Sequence, residues 1–281
     1  MKRCDICITE ECGGKHNCNC EECVNRGKCP KNLHPTIRIT NKCTQECSHC
    51  VFESSPRSKI MMTIDTAKEI AKFLKSNEIT YANVMGGEFF CNLEWYEILD
   101  CFLGVLEKMR LVTNGDWAEN DNVKNKIKNL IKNHKDKLLI GISKDKWHTN
   151  KNVKKAEEFL LEINATYKIA TPEETTDDSI VPIGRGQLHY SRYSFISTHC
   201  NSSPEREYSF LIDEGGLIYK CGFGTWSYAK VQEYLDGGFS KRFKEFNQKF
   251  YNIFIPNCRS CRRCAETTPP KKYERVTVLT E

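Results

Sequence analysis

The sequence predicts an α/β protein whose central part is a partial (β/α)6 TIM-like barrel, and two observations carry this prediction. Strand-like and helix-like segments alternate roughly every 25 to 30 residues, which is the pattern of parallel βαβ units. Polar or glycine residues follow successive strands, at the end where such folds place their ligands. The 281 residues suffice for one large domain, or for one domain with appendages.

The strands are predicted from short apolar runs, the first of which alternates with polar residues. The predicted strands are 36–40, 81–85, 109–113, 137–143 and 165–171, with 179–183 as a candidate sixth. The helices are predicted mainly from apolar residues at helical spacing, and Thr63 is the expected N-cap of the first. The predicted helices are 63–77, 93–108, 120–134 and 153–164.

Composition indicates an ordinary globular protein with one unusual feature. The net charge is +5, and the basic residues are spread through helical stretches, which favours solvated helix faces over a nucleic-acid surface. No apolar run has the length of a membrane span, and the amino-terminal residues lack the apolar core of a signal peptide. We therefore expect a cytoplasmic protein with no membrane or nucleic-acid partner.

The unusual feature is the cysteine content, 17 residues, of which 15 fall into three groups. Disulfides explain it poorly, because the cytoplasm keeps thiols reduced and the count is odd. Metal or cluster ligation explains it better. Two cysteines stand apart from the groups: Cys101 is expected to be a packed thiol of a helix, and Cys91 a buried structural thiol.

The central group follows the first predicted strand and consists of Cys43, Cys47 and Cys50. Iron–sulfur cubanes normally take four cysteinate ligands, so three thiolates from one loop hold three corners and leave the fourth iron open. An open coordination position distinguishes a catalytic metal site from a closed structural one. The alternatives are a zinc site and a closed cluster.

This motif, C-x-x-x-C-x-x-C, resembles that of the radical S-adenosylmethionine (SAM) enzymes, and the GGE sequence at Gly86 to Glu88 after the second strand supports the resemblance. The resemblance implies that SAM chelates the fourth iron of a [4Fe–4S] cluster. An electron from the cluster then cleaves SAM to methionine and a 5′-deoxyadenosyl radical, which abstracts hydrogen from the substrate. It also implies a reducing partner such as flavodoxin or ferredoxin. His49 stands where the family often has an aromatic residue.

The resemblance assigns roles to residues at the other strand ends. Gly86 and Gly87 would let the backbone approach the cofactor, and Glu88, or a backbone carbonyl beside it, would accept from the methionine ammonium group. Ser143 matches the position that contacts ribose, with Asp145 and His148 nearby. The further residues expected to reach the cofactor or a carboxylate are Asn114 and Arg185.

The late cysteines follow a layout similar to the SPASM/Twitch auxiliary-cluster domain of radical SAM enzymes, and the shorter Twitch form fits better. The group comprises Cys200, Cys221, Cys258, Cys261 and Cys264. The sequence "DEGG" before Cys221 predicts a hairpin of two strands. The resemblance favours one auxiliary [4Fe–4S] cluster on Cys200, Cys221, Cys258 and either Cys261 or Cys264, and zinc is the competing interpretation.

The early cysteines match no family pattern, and two interpretations stay open. They are Cys4, Cys7, Cys12, Cys18, Cys20, Cys23 and Cys29. They could hold further iron–sulfur clusters or a structural zinc ion, since zinc sites often use C-x-x-C pairs. The expected domains are a cysteine-rich extension (1–34), the radical SAM partial barrel (35–190) and a small auxiliary-cluster domain (191–281).

The resemblance favours a peptide or protein substrate, modified by a crosslink, a thioether or epimerisation. Relatives that act on small metabolites or cofactor precursors supply the alternative. A non-catalytic iron–sulfur or zinc protein is the alternative from another class. We expect a monomer.

Overall fold

The computed structural model describes residues 33–170, 184–185, 209–219 and 227–243, and its centre is one eight-stranded sheet. The strands are β1 (His34–Arg38), β2 (Tyr81–Met85), β3 (Lys108–Thr113), β4 (Leu138–Ser143), β5 (Tyr167–Ala170), β6 (Ser209–Ile212), β7 (Leu217–Tyr219) and β8 (Ser227–Lys230). They are ordered β5-β4-β3-β2-β1-β6-β7-β8. The six strands from β5 through β1 to β6 pair in parallel with their neighbours. The pairs β6–β7 and β7–β8 are antiparallel. The predicted α/β fold with a parallel sheet is confirmed, and the sheet is not closed.

Four α-helices of the described residues connect the parallel strands: α1 (Ile64–Ser76), α2 (Trp95–Val105), α3 (Asp121–His134) and α4 (Val153–Glu162). Thr63 caps α1 as predicted, because its side chain accepts a hydrogen bond from the Thr66 N–H. Asn120 caps α3 in the same way. Short 3₁₀ turns follow β2 at Phe89–Cys91 and β3 at Asp116–Glu119.

The two faces of the sheet differ in character because successive side chains of a strand point to opposite sides. One face is apolar and packs against the helices, with Ile37, Val84, Leu111 and Ile140 all buried in the main core. The other face, which we call the cavity face, carries Asn83, Arg110, Met85, Val112 and Ser143, all half-buried. Its polar groups point away from the core, toward the region where the cavity described below lies.

The predicted "DEGG" hairpin is confirmed, since β6 and β7 are antiparallel on either side of residues 213–216. Its position in the sheet follows from a contact that the sequence did not predict. Strand β6 pairs in parallel with β1, so the hairpin extends the main sheet beside the strand that leads to Cys43. Phe210 of β6 also joins an aromatic cluster with Phe73, Phe239 and Phe243, which anchors the hairpin to α1.

Some predicted elements lie outside the described residues, among them the candidate strand at 179–183. Within the described part of the chain, no helix combines the length and apolarity needed to cross a bilayer.

Candidate active site

A cavity of about 210 Å³ lies at the carboxyl ends of the parallel strands. It is lined by residues from the ends of β1 to β4 and by Arg185. Eight residues predicted from sequence line it together: Cys43, Cys47, Cys50, Gly86, Gly87, Asn114, Ser143 and Arg185. Ligands of parallel α/β sheets bind at this edge, so the position agrees with a cofactor or substrate site.

The cysteine loop is held by the continuation of the β1–β2 pairing beyond the strands. The Gly87 N–H donates to the Thr40 carbonyl (2.8 Å), and the Glu88 N–H donates to the Lys42 carbonyl (2.8 Å). A Cβ on Gly87 would lie 2.4 Å from the Lys42 carbonyl oxygen, far inside contact distance. The glycine is therefore required by the close approach of the residue that precedes Cys43.

The three thiols of the loop have the chemistry of a cluster site. Cys43 is buried, while Cys47 and Cys50 are half-buried at the cavity. Burial raises the pKa of Cys43 to about 12 and the pKa of Cys47 to about 11, so both thiols are protonated near neutral pH until a metal ion binds. Three thiols from one loop, at one cavity, fit a [4Fe–4S] cluster with one iron left open to a ligand.

Gln45, which the sequence did not single out, organises the inside of the loop. Its buried amide donates to an Asp116 carboxylate oxygen (2.9 Å) and accepts from the Thr149 N–H (3.1 Å) and the Cys47 thiol (3.5 Å). One side chain thus joins the cysteine loop to the segments that follow β3 and β4. No spacing or composition signal marks a lone glutamine for this role.

Arg185 holds the loop from the other side. Its Nε donates to the Cys47 carbonyl (2.8 Å), its Nη2 to the Ser54 carbonyl (2.6 Å) and its backbone N–H to the Cys50 carbonyl (3.1 Å). The guanidinium also favours the thiolate form of Cys47 electrostatically, although burial dominates the pKa of that thiol. Arg185 therefore contacts both the loop backbone and the cavity. That it reaches the cofactor stays a prediction.

Glu88 is 1% exposed and is not among the cavity-lining residues. Its carboxylate accepts from the Thr113 hydroxyl (2.6 Å) and from the Asn114 N–H (2.8 Å), so it joins the end of β2 to the end of β3. Asn114 itself lines the cavity and donates from Nδ2 to the Thr44 hydroxyl (3.0 Å). The contact between Glu88 and an ammonium group stays a prediction.

His49, Asp145 and His148 form a group beside the cysteine loop, with one ligand atom of each within 4.8 Å of the others. The rings of His49 and His148 stack edge to face at 5.2 Å, and both residues line the cavity. Partial burial opposes ionisation of Asp145, but hydrogen bonds from the His148 ring and from the Trp147 and His148 N–H groups lower its pKa to about 2. Asp145 thus holds the His148 ring at the rim of the site, and Ser143 precedes this group at the end of β4.

A buried ion pair connects the hairpin to the site, and sequence reasoning missed it. Arg38, at the end of β1, donates through Nε and Nη2 to both carboxylate oxygens of Glu214, each at 2.8 Å. The guanidinium also lies over the ring of Phe52, 4.6 Å from its centroid, and Phe52 lines the cavity. The pair spans 176 positions of sequence, which hides it from any local pattern.

The other predicted cysteine ligands, early and late, lie outside the described residues, so their ligation stays a prediction. Cys101 is half-buried on α2 and packs against the core, and its thiol points to the Ala67 carbonyl at 3.9 Å. Cys91 ends the 3₁₀ turn after β2 and is half-buried.

Comparison with known proteins agrees with this site. Residues 37–163 match the family model described as the radical SAM superfamily. The matched part of the chain contains the three cysteines and the GGE sequence, so it is similar to radical SAM domains in the region that forms the cavity.

Individual relatives share parts of the sequence or the fold. The antilisterial bacteriocin subtilosin biosynthesis protein AlbA of Bacillus subtilis (strain 168) is 33% identical over 116 residues, which cover 41% of this chain and 25% of AlbA. The matched stretch thus spans a quarter of the length of that curated relative.

Two solved structures share the fold at low identity. The structure of BtrN in complex with AdoMet and 2-DOIA superposes with a TM-score of 0.52 at 11% identity, covering 82% of this chain and 91% of BtrN. The structure of anSMEcpe with bound AdoMet and Kp18Cys peptide superposes with a TM-score of 0.53 at 16% identity, covering 86% of this chain and 92% of anSMEcpe. At these identities the similarity establishes the fold alone.

Proposed function

We propose that this protein is a radical SAM enzyme that modifies a peptide or protein substrate. Cys43, Cys47 and Cys50 would hold a [4Fe–4S] cluster, and SAM would bind its open iron inside the cavity. When bound, the cluster supplies the electron that cleaves SAM to methionine and a 5′-deoxyadenosyl radical, which takes a hydrogen atom from the substrate.

The observation that carries the proposal is the shared cavity. Three thiols of one loop line the same space as Gly86, Gly87 and Ser143, in the part of the chain that matches the radical SAM family model. A closed structural site needs a fourth protein ligand, whereas this loop supplies three thiols next to room for a small molecule. The residues around the loop, Gln45 and Arg185, would fix its backbone before the cluster binds.

The similarity to AlbA favours a peptide over a small metabolite as substrate. AlbA is a biosynthesis protein of a bacteriocin, and it shares a third of the aligned residues with this chain. The fold does not separate the two classes, because the anSMEcpe structure holds a peptide and the BtrN structure holds 2-DOIA. We further propose that the remaining cysteine groups bind auxiliary [4Fe–4S] clusters or, at the early cysteines, zinc, and that a flavodoxin- or ferredoxin-type protein supplies the electron.

Anaerobic reconstitution with iron and sulfide, followed by dithionite and SAM, tests the enzyme proposal. We expect stoichiometric 5′-deoxyadenosine and methionine from the wild type and none from the variant with Cys43, Cys47 and Cys50 changed to alanine. Cys101→Ala, which changes a helix thiol away from the loop, serves as the control and should keep the activity. A fully loaded, reduced wild type that forms no 5′-deoxyadenosine would refute the proposal.

Co-expression with short peptides encoded beside this gene tests the substrate class. We expect a mass change in one peptide that is absent with the triple cysteine variant. A mass change confined to small molecules of the host extract would instead favour the metabolite alternative.

A further inference from the structure

We propose that Arg110 forms a recognition site for a carboxylate group of the substrate, on the cavity face just below the cofactor cavity. This inference rests on the proposed function and deepens it, because it specifies a chemical group that the substrate must carry. For a peptide, the group is an aspartate or glutamate side chain or the chain terminus.

The position of Arg110 follows from the register of the sheet. Arg110 lies on β3 opposite Asn83 of β2 and Leu139 of β4, and Val112, two residues further along the same face, lines the cavity. Two residues along a strand span about 7 Å, so Arg110 starts one row deeper than the cavity wall.

The side chain of Arg110 reaches back toward that wall. An ideal Cβ on Gly141 would lie 3.3 Å from Nε and 3.5 Å from Nη2 of Arg110. Gly141 is the register partner of Val112, so the guanidinium lies at the level of the residue that lines the cavity. The absence of a side chain at Gly141 makes room for the guanidinium to lie against β4.

The guanidinium has unused hydrogen-bonding capacity. Its Nε is buried, and within the described ranges it has no hydrogen-bond partner, nor does any carboxylate there form an ion pair with it. Arginine stays protonated in proteins, and a buried charged donor without a partner destabilises the folded protein. A bound anion would remove this destabilisation, and a carboxylate matches the planar fork of the guanidinium.

The polar neighbours favour an anion over a neutral acceptor. Tyr81 donates from its hydroxyl to Oδ1 of Asn83 at 2.8 Å, so the nearest amide oxygen in this row is already engaged. Burial raises the pKa of Tyr81, and the positive charge of Arg110 offsets only part of this rise. The Tyr81 hydroxyl therefore carries no negative charge near neutral pH. The group formed by Tyr81, Asn83 and Arg110 therefore presents a positive charge and donors to a ligand.

The cofactor also has a carboxylate, and we assign the site to the substrate because Arg110 is not among the residues that line the cavity. The residues placed to hold the cluster and cofactor, among them Cys43, Asn114 and Ser143, lie at or beyond the strand ends. Arg110 belongs to the middle of β3.

Binding of two small probes to the reconstituted, oxidised protein tests the inference without turnover. The probes are N-acetyl-L-glutamate methylamide and its neutral counterpart, N-acetyl-L-glutamine methylamide, titrated while the Arg110 Nε–Hε resonance is followed in arginine-labelled protein. The titration is repeated with saturating S-adenosylhomocysteine, which occupies the cofactor position. We expect the acidic probe to shift this resonance and to bind at least tenfold more tightly than the neutral probe, with or without S-adenosylhomocysteine.

Variants separate the guanidinium from general charge. Arg110→Gln and Arg110→Lys should each weaken the acidic probe at least tenfold, because one removes the charge and the other removes the fork. Arg57→Gln, which changes an exposed guanidinium paired with Glu46, is the matched control and should bind like the wild type. If the Arg110 variants do not fold, the comparison of the two probes on the wild type still tests whether a carboxylate is recognised.

Three results would overturn the inference. Equal binding of the two probes, or no shift of the Arg110 resonance, would show that no carboxylate is recognised there. Loss of acidic-probe binding in the presence of S-adenosylhomocysteine would assign the site to the cofactor instead. None of these results affects 5′-deoxyadenosine formation by the wild type, so failure of this inference is distinguishable from failure of the proposed function.

Discussion

Changing Glu88 to glutamine should make the protein more stable above neutral pH. The carboxyl group is 1% exposed, and burial raises its pKa to about 7, even though the Thr113 hydroxyl and the Asn114 N–H donate to it. A glutamine can keep both contacts, since its oxygen accepts from the Asn114 N–H and its amide donates to the Thr113 oxygen. The substitution therefore removes the titration and retains the link between β2 and β3.

The size of the effect follows from the difference between the folded and unfolded pKa. The folded pKa of about 7 lies above the ordinary value of 4.5, so the folded state binds the proton more tightly and stability is lost as pH rises. The full pKa difference corresponds to about 3 kcal/mol in the free energy of unfolding, of which about 2 kcal/mol is lost between pH 5.5 and 8.5. Well below pH 4.5, where the carboxyl group is protonated in both the folded and the unfolded state, Glu88 contributes no pH dependence.

Urea unfolding of the reconstituted protein under anaerobic conditions, at several pH values from 5.5 to 8.5, measures this effect. The free energy of unfolding of Glu88→Gln minus that of the wild type should rise by about 2 kcal/mol across this range. Taking the difference cancels the pH dependence of the cluster and of other groups. Glu97→Gln, on the exposed side of α2, is the matched control for removal of one carboxylate. A flat difference between Glu88→Gln and the wild type would refute the argument that Glu88 is protonated by burial.

Two further predictions concern the cysteine loop. Gly87→Ala should abolish iron binding at the loop and lower 5′-deoxyadenosine formation at least tenfold, because its Cβ would lie 2.4 Å from the Lys42 carbonyl, whereas Gly104→Ala on α2 meets nothing within 4 Å and should keep both. The Arg185→Lys variant should lose its cluster to a chelator at least tenfold faster than the wild type does. The loss is measured by the decrease of the visible absorbance of the cluster. The loss of charge-assisted hydrogen bonds worth about 1.5–3 kcal/mol each exceeds the 1.4 kcal/mol that a tenfold change requires. Arg57→Lys is the control, and equal cluster lifetimes in the two variants would contradict the role given to Arg185.

The secondary structure was largely predictable because its determinants are local. Strand β2 has the predicted bounds. Helix α1 begins and ends within one residue of its predicted bounds, because Thr63 supplies the predicted cap. The second helix was predicted too long, at 93–108 instead of Trp95–Val105. Its start depends on Asn92, whose side chain accepts from the Glu94 N–H and donates to the Ile39 and Met62 carbonyls, and two of these partners are distant in sequence.

The residues of the cavity were predictable where they follow a strand, since the carboxyl ends of parallel strands meet at one edge. Asn114 and Ser143 were found in this way. The orientation of Glu88 toward β3 and the role of Gln45 were not predictable, because both depend on which segment lies next to which in three dimensions. The pairing of β6 with β1 is of the same kind, since the register partners His34 and Ser209 are 175 positions apart in the sequence.

The contacts around the loop indicate how its three cysteines would be held ready for the proposed cluster. Backbone hydrogen bonds from Gly87 and Glu88 fix the residues before Cys43, Gln45 fixes the middle of the loop, and Arg185 fixes the carbonyls of its second half. A loop ordered in advance loses less conformational entropy when the metal binds, so fewer ligand bonds are needed for the same affinity. Among the described residues, the ordering contacts come mainly from the sheet edge and from Arg185.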